Sequence, residues 1–270
     1  MQHSLSTYVT ELKETTASKE RIESELSIAR EIQMGMIPKI FPPYPDRDDI
    51  DLHAVLHPAK EVGGDLYDFY IDNNHLYFLI GDVSGKGIPA SLFMAITRSL
   101  FRTLSQQVLS PAEIVSKMNG SISDNNESNM FVTLIVGILD LPTGILKLCN
   151  AGHNPPVLIQ PDGKVSFMEF STHLFAGIME DVTYTDEEVT LEKGSKLFLY
   201  TDGVTEAENN MKQLYGDEKL LGTLSMNTSS DVRTTVDIIV HSVADHVQEA
   251  EASDDLTILL IQYEPGKTNN

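Results

Sequence analysis

Leu76-Tyr77-Phe78-Leu79-Ile80-Gly81-Asp82-Val83-Ser84-Gly85-Lys86-Gly87 is the stretch that decides how this chain is read. Its apolar run predicts a strand buried on both faces. The strand runs straight into an aspartate in a glycine-rich turn. The pattern recurs at Lys196-Leu197-Phe198-Leu199-Tyr200-Thr201-Asp202-Gly203. A third segment, Asp254-Asp255-Leu256-Thr257, opens the run Ile258-Leu259-Leu260-Ile261. A carboxylate at the end of a buried strand is aimed rather than waving in solvent. Several brought together repel one another, at about 4 kcal/mol per pair for a separation of ~4 Å and an effective dielectric near ~20. Cations remove that cost. The pattern therefore predicts a hard-metal site in a metal-dependent hydrolase.

The composition narrows the class. With 270 residues, 41% of them hydrophobic, the chain has material for a real core. Its formal net charge of -21 disfavours nucleic acid and anionic lipid as partners. Cys149 is the only cysteine, so neither an intramolecular disulfide nor a zinc site with two cysteines from this chain is available. The polar N-terminus carries no signal-peptide pattern, and no run reaches the ~20 apolar residues of a membrane span. A cytoplasmic, soluble chain is expected, with no direct membrane contact.

Residues 4–37 read as one helix. They contain no proline, and apolar residues recur at Leu5, Tyr8, Leu12, Ile22, Leu26, Ala29 and Met36. That seam is narrow and imperfect, and it predicts a coiled-coil-like helix about 50 Å long that pairs two copies of the chain. Pro38 ends it, and Phe41-Pro42-Pro43-Tyr44-Pro45 forms a stiff connector. The expected division is 1–46 for helix and connector, 47–264 for the main domain and 265–270 for a frayed tail. Strands are expected at 52–56, 66–71, 76–80, 131–139, 145–150, 157–159, 165–169, 197–200 and 256–262. Helices are expected at 88–107, 111–119, 217–225 and 231–248, the second opened by a cap at Ser110 with Glu113 three residues on. Residues 121–129 read as a mobile loop. Hairpin strands with a few long helices predict an α+β fold, two antiparallel sheets between helices.

Other motifs bear on the chemistry. The Gly81–Gly87 turn is not a P-loop, because its glycine spacing is short by one and Gly87 stands where a serine or threonine is needed. Lys60-Glu61-Val62-Gly63-Gly64-Asp65-Leu66-Tyr67-Asp68 holds a second acidic cluster, read equally well as a Gly-Gly bulge entering a strand, with Asp68 in a structural role. Asn150-Ala151-Gly152-His153-Asn154-Pro155-Pro156 is a tight turn in which His153 fixes the backbone more readily than it holds a metal. Ser84 and Thr205 lack a neighbouring histidine base, so a serine-nucleophile triad has no support.

Taken in order, Gly63-Gly64-Asp65, Gly81–Gly87, Met130-Phe131-Val132-Thr133, Asn150–Pro156, Thr201-Asp202-Gly203-Val204-Thr205-Glu206 and Asp254–Thr257 resemble the PPM-type metal-dependent serine/threonine protein phosphatases of the bacterial SpoIIE/RsbU branch. The resemblance covers roughly residues 48–263, and Ile28–Pro38 looks like that branch's linker helix. It implies an αββα sandwich and two Mn²⁺ or Mg²⁺ ions, bridged by Asp82. The Val83 carbonyl joins one ion, Asp202 and Asp254 complete the other, and Asp65 acts mostly through metal-bound water. The motif favours Asp254, while the adjacent Asp255 keeps both open as the ligand. The implied substrate is a phosphoserine or phosphothreonine on a STAS-type anti-sigma factor antagonist, in sigma factor regulation. The resemblance also implies a HAMP or other sensor region upstream in a longer protein. Two positions depart from the wider family: Ser84 stands where eukaryotic members carry a histidine, and Lys60 where they carry a phosphate-binding arginine. Two rival readings are a degenerate phosphatase fold acting as a scaffold and a metal-dependent nucleotide phosphodiesterase.

Overall fold

The computed structural model describes residues 2–265 apart from 108, 109 and 125. The side chains of Leu5 and Tyr8, and the expected tail beyond Pro265, lie outside the described residues. The chain divides into two units, the first ending at Met36 and the second beginning at Ile37.

The first unit is helix α1, Gln2–Met36. Leu12, Ile22, Ile28 and Ile32 are all exposed on it. Its polar side carries i,i+4 ion pairs, Lys19 with Glu23 and Arg21 with Glu25.

The second unit holds eleven strands and five helices among the described residues. The connector belongs to it rather than to the helix. Ile37 is buried, the Tyr67 hydroxyl donates to the Pro38 carbonyl at 2.5 Å, and the Phe41 ring lies 4.8 Å from His53 and 6.0 Å from Phe69. The compact unit thus starts earlier than the boundary expected at 46.

Sheet A runs in the order β1 (Ile50–His57), β11 (Leu256–Tyr263), β10 (Lys196–Tyr200), β6 (Val157–Ile159), β7 (Val165–Phe167). Sheet B runs β2 (Leu66–Asp72), β3 (His75–Val83), β4 (Val132–Asp140), β5 (Ile145–Ala151), β8 (Thr172–His173), with β9 (Glu187–Thr190) also paired to β5. All these pairings are antiparallel except the two-residue ladder of β5 with β8. Helices α5 (Asp217–Ser225) and α6 (Val232–Val247) pack on sheet A, and α2 (Ile88–Leu104) and α3 (Pro111–Ser123) pack on sheet B. The remaining helix, α4 (Asp202–Thr205), is one turn at the end of β10. The result is the expected sandwich of two sheets between helices.

The pleat explains the layers. Along β10 and β11, Phe198, Tyr200, Ile258 and Leu260 face α5 and α6, where they meet Leu220, Leu224, Val236 and Ile239. Leu197, Leu199, Leu259 and Ile261 alternate with them and are equally buried, so both faces of these strands are covered. In β3 every residue from Leu76 to Gly81 is buried. Cys149 is fully buried in β5.

Several local expectations change. Helix α3 continues to Ser123, beyond 119. In the segment after it, the Asn126 amide donates to the carbonyls of Met130 (2.6 Å) and Gly177 (2.8 Å). Ser110 does not cap α3 with its own side chain; Asp186 does, accepting from Ala112 N at 2.6 Å and from the Ser110 hydroxyl. A charged acceptor makes the stronger bond. Strand β9 was missed because Glu187-Glu188-Val189-Thr190 is a charged edge, without the apolar signature of a buried strand.

Candidate metal centre

Asp82 is the penultimate residue of β3, facing Thr133 across the ladder with β4. Asp202 opens α4 directly after β10, and Asp254 and Asp255 immediately precede β11. Asp65 precedes β2. Both sheets therefore deliver carboxylates to one end of the sandwich.

Their electrostatics record the convergence. Burial, then the charges of Asp202 and Asp254, push Asp82 up to about 7. Burial, then Asp254 and Glu206, push Asp202 up to about 6. Asp65 is held well above the usual carboxylate range by burial and then by Asp82 and Asp255. Desolvation and like-charge repulsion both favour the protonated form. The donors are all oxygens, which suits Mg²⁺ or Mn²⁺. Among the described residues, no three His, Cys, Asp or Glu side chains are grouped so as to hold a metal ion as they stand. The chemistry of the donor set fits such ions.

Several of the carboxylate oxygens already have protein partners. Asp65 Oδ2 accepts from two hydroxyls, Thr201 at 2.7 Å and Thr257 at 2.6 Å, and Thr257 N donates to Thr201 Oγ1 at 3.0 Å. Asp254 Oδ2 pairs with Lys86 Nζ at 2.8 Å, and the same ammonium donates to the Ser253 carbonyl. Asp255 turns the other way. Its Oδ1 accepts from Ala59 N at 2.8 Å, and its Oδ2 from Gly64 N at 2.8 Å and Asp65 N at 3.4 Å.

Two glycines make that junction possible. A Cβ on Gly63 would stand 2.0 Å from Asp255 Oδ2, and one on Gly203 1.9 Å from the Asp255 carbonyl oxygen. Any side chain at either place would push the β11 entry away from the loops carrying Asp65 and Asp202. The Gly-Gly pair is thus a close approach to a carboxylate.

His153 lies beneath the carboxylates as a strut. Its Nε2 is 3.1 Å from the Tyr200 carbonyl and its Nδ1 2.9 Å from Thr133 Oγ1. A carbonyl only accepts, so Nε2 carries the proton and Nδ1 accepts from the threonine hydroxyl. Burial pushes this histidine down to about 4, which keeps it neutral. It ties the end of β10, in sheet A, to β4, the ladder partner of Asp82, in sheet B. Asn150 fixes the turn by accepting from His153 N (2.8 Å) and donating to its carbonyl (2.9 Å).

Other candidates have structural duties. Ser84 Oγ accepts from Phe131 N at 2.9 Å. Asp68 is fully buried, with Arg102 Nε at 2.6 Å and Arg98 Nε at 3.0 Å from its Oδ2, and it clamps α2 to β2. Lys60 is exposed. Thr133, Thr201, Thr257 and Lys86 were missed as site residues. Each stands inside a quoted motif, and the available signal was a hydroxyl or ammonium placed beside strand-end acids.

An αββα sandwich with strand-end carboxylates at the seam of its sheets defines the PP2C-type class of domain. The chain belongs to the SpoIIE family, whose description is Stage II sporulation protein E and whose profile matches residues 72–264. It is 30% identical over 265 residues to Protein IcfG of Synechocystis sp., covering 88% of this chain and 41% of that protein. It is 27% identical over 248 residues to phosphoserine phosphatase RsbU of Bacillus subtilis, covering 90% of this chain and 71% of RsbU. Among solved structures, the SiaA-PP2C domain of Pseudomonas aeruginosa superposes with a TM-score of 0.82 at 20% identity, covering 92% of this chain and 99% of that one. The chain thus spans less than half the length of IcfG.

Proposed function

We propose that this chain is a metal-dependent protein serine/threonine phosphatase in bacterial signalling. The observation that carries the reading is the convergence of Asp65, Asp82, Asp202 and Asp254 from two sheets, with burial and mutual repulsion raising Asp65, Asp82 and Asp202. RsbU's description as a phosphoserine phosphatase supports it.

Two Mn²⁺ or Mg²⁺ ions bound there would supply an activated water and neutralise charge on the phosphoryl oxygens. Asp82 and the Val83 carbonyl would hold the ions from the sheet B side, and Asp202 and Asp254 from the sheet A side. Asp255 supports them through the backbone, because both its oxygens already accept from amides. Thr201 and Thr257 fix Asp65 behind the others. His153 stays neutral and donates no proton to the leaving group. The proposed substrate is a phosphoserine or phosphothreonine on a STAS-type anti-sigma factor antagonist, and α1 pairs two copies. The proposed setting is the cytoplasm, with a sensor region upstream; no described helix is long and apolar enough to cross a membrane.

The test is hydrolysis of an aryl phosphate and of a phosphoserine protein with Mn²⁺. Both activities are expected in the wild type, to be lost on chelation and in Asp82→Asn. A wild type that binds the phosphoprotein without turnover would return the scaffold reading. Turnover of cyclic nucleotides alone would return the phosphodiesterase reading.

A further inference from the structure

A cavity of about 200 Å³ opens directly beside the candidate metal centre. One wall is the apolar face of α6, formed by Val240, Ala244 and Val247, and Leu256 at the start of β11 adds to it. Another part of the wall is Asp254 itself. The cavity and the candidate metal centre therefore share Asp254, and Gly203, next to Asp202, also lines the cavity. Two further carboxylates, Glu208 and Glu251, line it.

The size and lining limit the occupant. An apolar cavity of ~150 Å³ holds a benzene-sized molecule. Some 200 Å³ accommodates one large aliphatic side chain and little more. Its apolar walls gain by shedding water onto such a group. Two of the three carboxylates are ion-paired, Asp254 with Lys86 and Glu208 with Lys212, so an acidic side chain is disfavoured there mainly by its desolvation against the apolar walls.

We propose that this cavity is a specificity subsite, which takes a leucine-like apolar side chain of the phosphoprotein from within about three residues of the phosphoserine. The inference rests on the phosphatase reading above. It adds a sequence preference: an apolar neighbour is selected and an acidic one rejected. A hydrophobic pocket of this kind discriminates by about tenfold or somewhat more.

The experiment uses the full chain with Mn²⁺, first on an aryl phosphate. It then uses alanine-rich phosphoserine peptides in which one leucine, or one aspartate, is walked through the three positions on either side. At one position leucine is expected to raise kcat/KM ~10-fold over alanine, and aspartate to fall below alanine. Ala244→Trp, which fills the cavity from an exposed position on α6, and Val247→Ser, which makes its wall polar, are each expected to bring the leucine-to-alanine ratio to near one. The ratio is internal to each variant, so a general loss of activity does not mimic the effect. Equal rates for leucine and alanine at every position in the wild type would overturn the subsite. So would a leucine preference that both variants keep. A wild type inert toward the aryl phosphate would overturn the phosphatase reading, and the subsite with it.

Discussion

Asp254 and Asp255 are neighbours with opposite duties. Asp254 pairs with Lys86 and lends its charge to Asp82 and Asp202, while Asp255, whose charge also reaches Asp65 and Asp82, has both oxygens held by amides of the 59–65 loop. The sequence left the two open because the amide that occupies Asp255, on Gly64, is 191 residues away. Asp255→Ala leaves buried amides unpaired. It is expected to destabilise the metal-free protein by about 2–4 kcal/mol, read as a fall in the urea midpoint. Asp254→Ala is expected to leave that midpoint nearly unchanged and to weaken Mn²⁺ binding in calorimetry by tenfold or more (~1.4 kcal/mol). The reverse pattern would exchange their roles.

The elements were legible where burial made the pattern loud. Strands β3, β10 and β11 are apolar on both faces, and their ends were placed to within a few residues. Edge strands and caps were not legible, because their partners are tertiary: β9 is acidic and half exposed, and the α3 cap comes from Asp186. Helix α1 raises a different question. Of the expected seam, Leu12, Ile22 and Met36 are exposed on a helix of 35 residues while Leu26 and Ala29 are half-buried, and apolar side chains left in water favour a second helix. A chain beginning at Ile37, where the compact unit starts, is expected to be a monomer by light scattering, and the full chain a dimer. The same oligomeric state for both would remove α1 as the pairing element.

For the molecule as a whole, the proposed metal centre sets protons and metal in competition for one seam. Asp82 and Asp202 carry folded values of about 7 and about 6, above the ~4 of an unfolded aspartate. The metal-free folded state therefore binds more protons than the unfolded chain between pH ~4 and 7. The stability contributed by these groups falls as pH rises through that window. His153 acts oppositely, its stability contribution being lost as pH falls from ~6.5 to about 4. It is common to the metal-free and metal-bound forms, so it cancels from their difference. The Mn²⁺-induced rise in Tm is thus expected to grow between pH 5 and pH 7.5. For these coupled groups the growth is about 2 kcal/mol, or roughly 4–8 °C. A Tm difference that is flat across that range would place the ions elsewhere.

The two threonines on Asp65 give the site a logic of its own. One hydroxyl comes from the end of β10 and the other from β11, and both meet on a single oxygen. Asp65 itself comes from the entry to the opposite sheet. The carboxylate is aimed only when both strands of sheet A are in register and sheet B is seated against them. It behaves as a conjunction, in which three independent conditions are read out at one atom.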